Sequence, residues 1–172
     1  VLDETVEREG GIPLRTPVGD IQVAVKMKEI GATFGGEACG VFIFSDFLQA
    51  PEPFLTTCRI LELMAKTENS FAELISEVPV YPLLKTKLSC SNEKKQRVMD
   101  VLTKKLPDTL QDVIDVLTVD GLGVSLKSGW VLVRPSGTEP VIRITCEATT
   151  QQEVEQILAD AKTVVEKVIS EV

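Results

Sequence analysis

The sequence predicts an α/β unit, part of a three-layer α/β/α domain, followed by an α+β two-layer sandwich with a mainly antiparallel sheet. Three observations carry this. Up to about residue 80, short apolar strand candidates alternate with helical segments through short links, which is the grammar of a layered α/β domain. Beyond it the pattern becomes strand, helix, three closely spaced strand candidates, a fourth strand and a long final helix. Pro79 and Pro82 punctuate the chain between the two patterns. The boundary is placed near Val78–Pro82, giving units of residues 1–79 and 80–172.

The elements follow in order. Leu2 to Gly10 reads as the last turns of a helix closed by Gly10 and Gly11. Ile12 to Thr16 is a strand candidate, followed by the turn Pro17-Val18-Gly19. Asp20 is the expected cap of a helix reaching Ile30, with Val23, Val25, Met27 and Ile30 as its apolar positions and Gly31 as its stop. Ala32 to Phe34 is a strand candidate entering a glycine-rich turn over 35–40, and Val41 to Phe44 is a buried strand. Pro51 and Pro53 open a helix whose stripe is Phe54, Leu55, Cys58, Leu61, Met64 and Ala65. Ser70 caps a short helix from Phe71 to Glu77.

In the second unit Tyr81 to Ser89 is a strand. Asn92 to Leu106 is a helix with Val98, Val101, Leu102 and Leu106 inward, ended by Pro107. Strand candidates Val113–Val119, Gly123–Leu126 and Trp130–Val133 are separated by Asp120-Gly121 and Ser128-Gly129, both hairpin-type turns. A fourth, Val141 to Glu147, follows the loop over 134–140. Thr150 and Glu153 form a capping box before the amphipathic stripe Val154, Ile157, Leu158, Ala161, Val164, Val165 and Val168. Both helices are expected on one face of the sheet.

Composition narrows the chemistry. The chain has 172 residues and no histidine, which removes a histidine base, a Ser-His-Asp or Cys-His centre, and any histidine-containing zinc site. The net charge is −8, so a nucleic-acid surface is a poor expectation. Residues 1–80 hold 6 basic and 13 acidic side chains; residues 81–172 hold 12 and 13. Cys39, Cys58, Cys90 and Cys146 form no C-x-x-C motif and read as buried, reduced thiols. With no signal-like start and no apolar run near 18 residues, the chain is expected to be cytoplasmic, with no membrane partner. A helix already under way at a non-methionine start reads as a fragment. Oligomeric state is left open.

Three segments could carry chemistry. In Arg134-Pro135-Ser136-Gly137-Thr138-Glu139-Pro140, a glycine lets the chain curl so that backbone amides converge, two hydroxyls add donors, and Arg134 adds a planar cation suited to phosphate oxygens. Arg143 could add a second cation. A tight polar turn between hairpin strands explains the same composition about equally well. Gly35–Gly40 surrounds one acid, Glu37, with glycines that permit close approach of a ligand, or simply make a turn. Thr16-Pro17-Val18-Gly19-Asp20 reads by itself as a turn and a helix cap.

These residues carry a resemblance. Arg134 to Pro140 resembles the phosphate-binding loop in the fourth domain of the α-D-phosphohexomutases. Phe34-Gly35-Gly36-Glu37-Ala38-Cys39-Gly40 resembles the sugar-recognition loop of their third domain, and Thr16 to Asp20 is similar to a segment of the phosphoglucosamine mutase branch. Cys39 stands where the family often has serine, Val41 where many members have histidine, and Ile21-Gln22 where a basic residue is common. The family's phosphoserine loop and magnesium loop have no counterpart in this sequence.

The resemblance implies most of domain three and all of domain four of an enzyme that interconverts hexose 1-phosphate and hexose 6-phosphate. Phosphoglucosamine is the leading substrate, and the glucose and mannose phosphates are the alternatives. It implies a phosphoserine enzyme, a hexose bisphosphate intermediate, and Mg2+ held outside this chain, so no catalytic or metal-ligating residue is expected here. Arg134, Ser136, Gly137, Thr138 and Arg143 would bind phosphate. Glu37, Cys39, Thr16, Val18 and Gly19 would meet the sugar. The remaining domains would be the chain's partners, with domain four hinged near Val78–Pro82. The rival reading is a module that binds a phosphorylated metabolite without chemistry, and a third is a plain oligomerisation domain.

Overall fold

A computed structural model describes residues 2–172. The backbone divides into two compact units, to Val80 and from Tyr81.

The first unit holds α1 (Leu2–Arg8), α2 (Asp20–Ile30), a hairpin of β1 (Phe34–Glu37) and β2 (Val41–Phe44), α3 (Pro53–Thr67) and α4 (Phe71–Ser76). Its core is small: Val23 and Met27 of α2 pack with Ile43 of β2, edged by Ala24 and Ala32. Val23 and Met27 are four apart, so one face of α2 meets the hairpin, while Val25 and Ile30, expected in the stripe, lie exposed. Gly35 makes that contact possible, because a Cβ there would lie 2.5 Å from the Met27 sulfur and 2.7 Å from Val23 Cγ1. Glycines expected in the turn therefore sit within β1, and the turn itself is Ala38-Cys39-Gly40, with Gly40 at φ +91°.

Three further expectations change in this unit. Residues 12–16 form no strand, having no ladder partner among the described residues. Asp20 is the first helical residue rather than the cap; Gly19 precedes the helix, and Asp20 Oδ1 accepts only from the Ile21 N–H. The α3 stripe is not buried within the unit: Phe54 is 81% exposed, and Leu61 and Cys58 are exposed. The α4 capping box at Ser70 and Glu73 forms in both directions.

The second unit holds β3 (Leu83–Ser89), α5 (Asn92–Thr109), β4 (Val113–Leu117), β5 (Leu122–Leu126), β6 (Gly129–Pro135), β7 (Val141–Ala148) and α6 (Gln151–Glu171). The sheet order is β3-β7-β6-β5-β4, antiparallel throughout. Period-2 alternation turns Leu122, Val124, Val131, Val133, Ile142, Ile144 and Cys146 toward α5 and α6. The helices answer with Val98, Leu102 and Leu106, and with Val154, Ile157, Ala161, Val165 and Val168. The opposite sheet face carries the polar residues.

Pro107 does not end α5, which runs to Thr109. Proline in the last turn forfeits one bond near the end of the ladder, and the Leu110 N–H still reaches the Leu106 carbonyl. Gly121 turns β4 into β5 at φ +86°. Two cysteines are buried, Cys90 and Cys146, whereas Cys39 and Cys58 are exposed, so burial holds for half of the four thiols. No helix among the described residues is long and apolar enough to cross a membrane.

Candidate functional site

Each unit presents one cluster. In the second unit the strand register builds it. Arg134 on β6 stands opposite Arg143 on β7, and Arg143 stands opposite Lys87 on β3. Three cations thus form one row across three adjacent strands, on the face away from the helices. They line an open cleft of about 540 Å³ together with Lys85, Thr145 and Glu139. Like charges directly opposed on a sheet are unfavourable, by up to about 1 kcal/mol a pair.

Two acids hold the row. Asp120, in the β4–β5 turn, takes the Arg134 Nε at 2.9 Å, which leaves the two terminal nitrogens of that guanidinium open. Glu139 takes Arg143 at 2.6 Å and Lys87 at 3.2 Å. The Lys87 hydrogen bond, then that of Arg143, holds the Glu139 carboxyl below its ordinary range.

The loop beside this row is braced from inside. Ser136 donates its N–H to Val141 O, and Val141 donates to Glu139 O. Ser136 is buried; its Oγ accepts from the Glu139 N–H at 3.2 Å and from Arg143 at 3.4 Å, leaving its own proton for another acceptor. Gly137 and Thr138 sit at the tip, and neither their N–H groups nor the Thr138 hydroxyl bonds to any described residue. Gly137 does not adopt a positive φ, and a Cβ there would meet nothing within 4 Å. The bracing bonds, not glycine's conformational freedom, shape the loop, and open space lies above Gly137.

Sequence reasoning missed Lys87, Asp120, Glu139 and Lys95. Lys95 is buried, and its ammonium donates to the carbonyls of Ser136 and Glu139. Its signal was available: Lys95 falls on the buried stripe with Val98, Met99, Leu102 and Leu106.

In the first unit the Gly19 N–H donates to Glu37 Oε1 at 2.9 Å, and the Cys39 thiol lies 3.9 Å from Glu37 Oε2, a weak contact. Gly19, Glu37 and Cys39 are therefore together, tying the segment before α2 to the β-hairpin. Val18 is exposed and Thr16 half-buried, and neither hydrogen-bonds to Glu37. Thr16 instead lines a shallow hollow with Arg15, Gln22 and Lys26. Among the described residues no group of three or more Cys, Asp or Glu could hold a metal ion, so these residues do not fit Mg2+.

The chain thus carries a basic row beside unbonded amides on its second unit, and a carboxylate at the end of a strand on its first. The comparisons place it. The family model "Phosphoglucomutase/phosphomannomutase, alpha/beta/alpha domain III" matches residues 1–81, and "Phosphoglucomutase/phosphomannomutase, C-terminal domain" matches residues 87–164. The chain belongs to the phosphoglucomutase/phosphomannomutase family. It is 38% identical over its full length to a "probable phosphoglucosamine mutase" of Methanopyrus kandleri, and 34% identical over 99% of its length to a phosphoglucosamine mutase of Methanococcus maripaludis. It covers 37% and 38% of those two relatives. The crystal structure of a phosphoglucomutase/phosphomannomutase family protein from Burkholderia thailandensis superposes with a TM-score of 0.81 at 28% identity, over 97% of this chain and 35% of that one.

Proposed function

We propose that the chain is the substrate-binding portion of an enzyme interconverting hexose 1-phosphate and hexose 6-phosphate, with phosphoglucosamine as its substrate. The observation that carries this is the row Lys87–Arg143–Arg134 beside the unbonded amides of Gly137 and Thr138. A phosphate dianion accepts from planar guanidinium nitrogens and from converging N–H groups together. Arg134, Ser136, Gly137, Thr138 and Arg143 hold the phosphate that is not reacting. Glu37, Gly19 and Cys39 face the sugar hydroxyls, with Thr16 and Val18 on the segment leading to them. Holding one phosphate sets the position of the other, which is catalysis through orientation. The bisphosphorylated hexose is held the same way, in either direction. A phosphoserine donor and Mg2+ would be supplied from outside these residues.

The test is titration of the chain with glucosamine 6-phosphate and with glucosamine. Binding is expected for the phosphate ester alone, and Arg134→Ala should weaken it about tenfold or more, as loss of a charged hydrogen bond of about 1.5–3 kcal/mol requires. Equal binding by mutant and parent overturns the reading. The chain alone is expected to show no turnover.

A further inference from the structure

We infer that Lys95 is a positioning residue for the phosphate site: its buried ammonium shapes the Ser136–Glu139 loop and places a positive charge behind it. The inference rests on the proposed phosphate reading and deepens it.

Lys95 lies in the first turns of α5, on the face packed into the core, and is 8% exposed. It is the one buried charged side chain among the described residues. Its ammonium donates to two backbone carbonyls, Ser136 O and Glu139 O, which flank Gly137 and Thr138. No carboxylate pairs with it among the described residues, since Glu139, the acid of the loop, turns to Lys87 and Arg143 instead.

Two consequences follow. First, the two carbonyls are drawn toward the protein interior, so the peptide units between them are free to present N–H groups outward. The absence of any bond to the Gly137 and Thr138 amides agrees with that. Gly137 contributes no left-handed turn of its own, since its φ is not positive. Second, a buried cation satisfied only by neutral carbonyls is electrostatically unbalanced. Burying a charge without an opposite charge is costly. The missing opposite charge is supplied by the anion that binds over the loop. A purely structural lysine would be better replaced by an apolar residue at this point of the stripe, between the turn of Ser91 and Val98.

Lys95→Met keeps the length of the side chain and removes the donors and the charge. The experiment titrates parent and Lys95→Met with inorganic phosphate, following amide resonances. Parent is expected to bind with shifts at Gly137 and Thr138. Lys95→Met is expected to bind at least tenfold more weakly, with those two amides already displaced before any phosphate is added, while resonances of the β4–β5 hairpin stay in place. Lys95→Gln retains two N–H donors without the charge and is expected to recover the amide positions but not the affinity. It also serves should Lys95→Met fail to fold. If either folded variant binds phosphate within twofold of parent, the inference is overturned and the phosphate reading stands. If parent itself binds no phosphate, the reading fails and the inference with it.

Discussion

Arg134 and Arg143 face each other directly across β6 and β7, and the fold tolerates the opposition by giving each an acid, Asp120 and Glu139. Cross-strand like charges work against the sheet, and the proposed phosphate would offset them further. Anion binding to the folded chain alone raises its stability by mass action. Inorganic phosphate is therefore expected to raise the melting temperature. The rise should largely vanish at about 1 M salt, where the Debye length is about 3 Å and exposed cations are screened. A phosphate-dependent shift that survives such salt would place the binding elsewhere.

Glu139 competes with the ligand for Lys87 and Arg143. Glu139→Gln removes that internal anion while keeping the shape of the side chain. It is expected to tighten phosphate binding several-fold, since those cations then have no opposite charge of their own. Calorimetric titration of the two proteins decides it; weaker binding by Glu139→Gln would mean that the carboxylate orients the cations rather than occupying them.

The same carboxyl sets a pH dependence. Hydrogen bonds from Lys87 and then Arg143 lower its pKa from the ordinary 4.5. A carboxyl depressed by folding contributes stability that is present above its unfolded value and lost as pH falls through the folded one. Glu153, held by Thr149 and Thr150, and Glu171, held by Lys105, share that sign. Unfolding monitored by circular dichroism should show stability falling below pH 4.5, with the Glu139 carboxyl carbon titrating below that point. A midpoint at or above 4.5 for Glu139 would contradict the ion pairs.

The thiols divide by burial. Cys146 is enclosed in the sheet core, and burial pushes its thiol up to about 12; burial also raises Cys90. Thiolate is the reactive form, so both should resist alkylation near pH 8. Cys39 and Cys58 are exposed and should react. Mass spectrometry after iodoacetamide is expected to find Cys39 and Cys58 modified in the native chain, and all of Cys39, Cys58, Cys90 and Cys146 modified in denaturant.

Gly35 tests the contact that joins α2 to the hairpin. A Cβ placed there would lie within 2.7 Å of both Met27 and Val23. Gly35→Ala should cost about 1–3 kcal/mol in the first unit, as overpacking does. Because Glu37 follows two residues later on the same strand, the Gly19 to Glu37 hydrogen bond should be disturbed as well. Chemical denaturation reads the first effect and the Gly19 amide shift the second; an unchanged midpoint would mean the helix moves aside without penalty.

By itself the sequence determined the mixed α/β class and the α+β sandwich with its antiparallel sheet, and it singled out the segments around Glu37 and Arg134. Those features depend on neighbours in the chain: period-2 and period-3.6 apolar patterns, caps and turn residues report local backbone preference directly. The strand expected at residues 12–16 failed for a matching reason, because a strand also needs a distant partner that apolar alternation does not specify. Only the tertiary structure decided the register that sets Lys87, Arg143 and Arg134 in one row, since their spacing of 56 and 9 residues along the chain carries no sign of adjacency. The helical period already puts Lys95 rather than Lys94 on the inward stripe, but only the tertiary structure supplied its partners, the Ser136 and Glu139 carbonyls. It also tied the loop to an ammonium 41 residues before Ser136, because hydrogen bonds that close a long loop are fixed by packing rather than by local sequence.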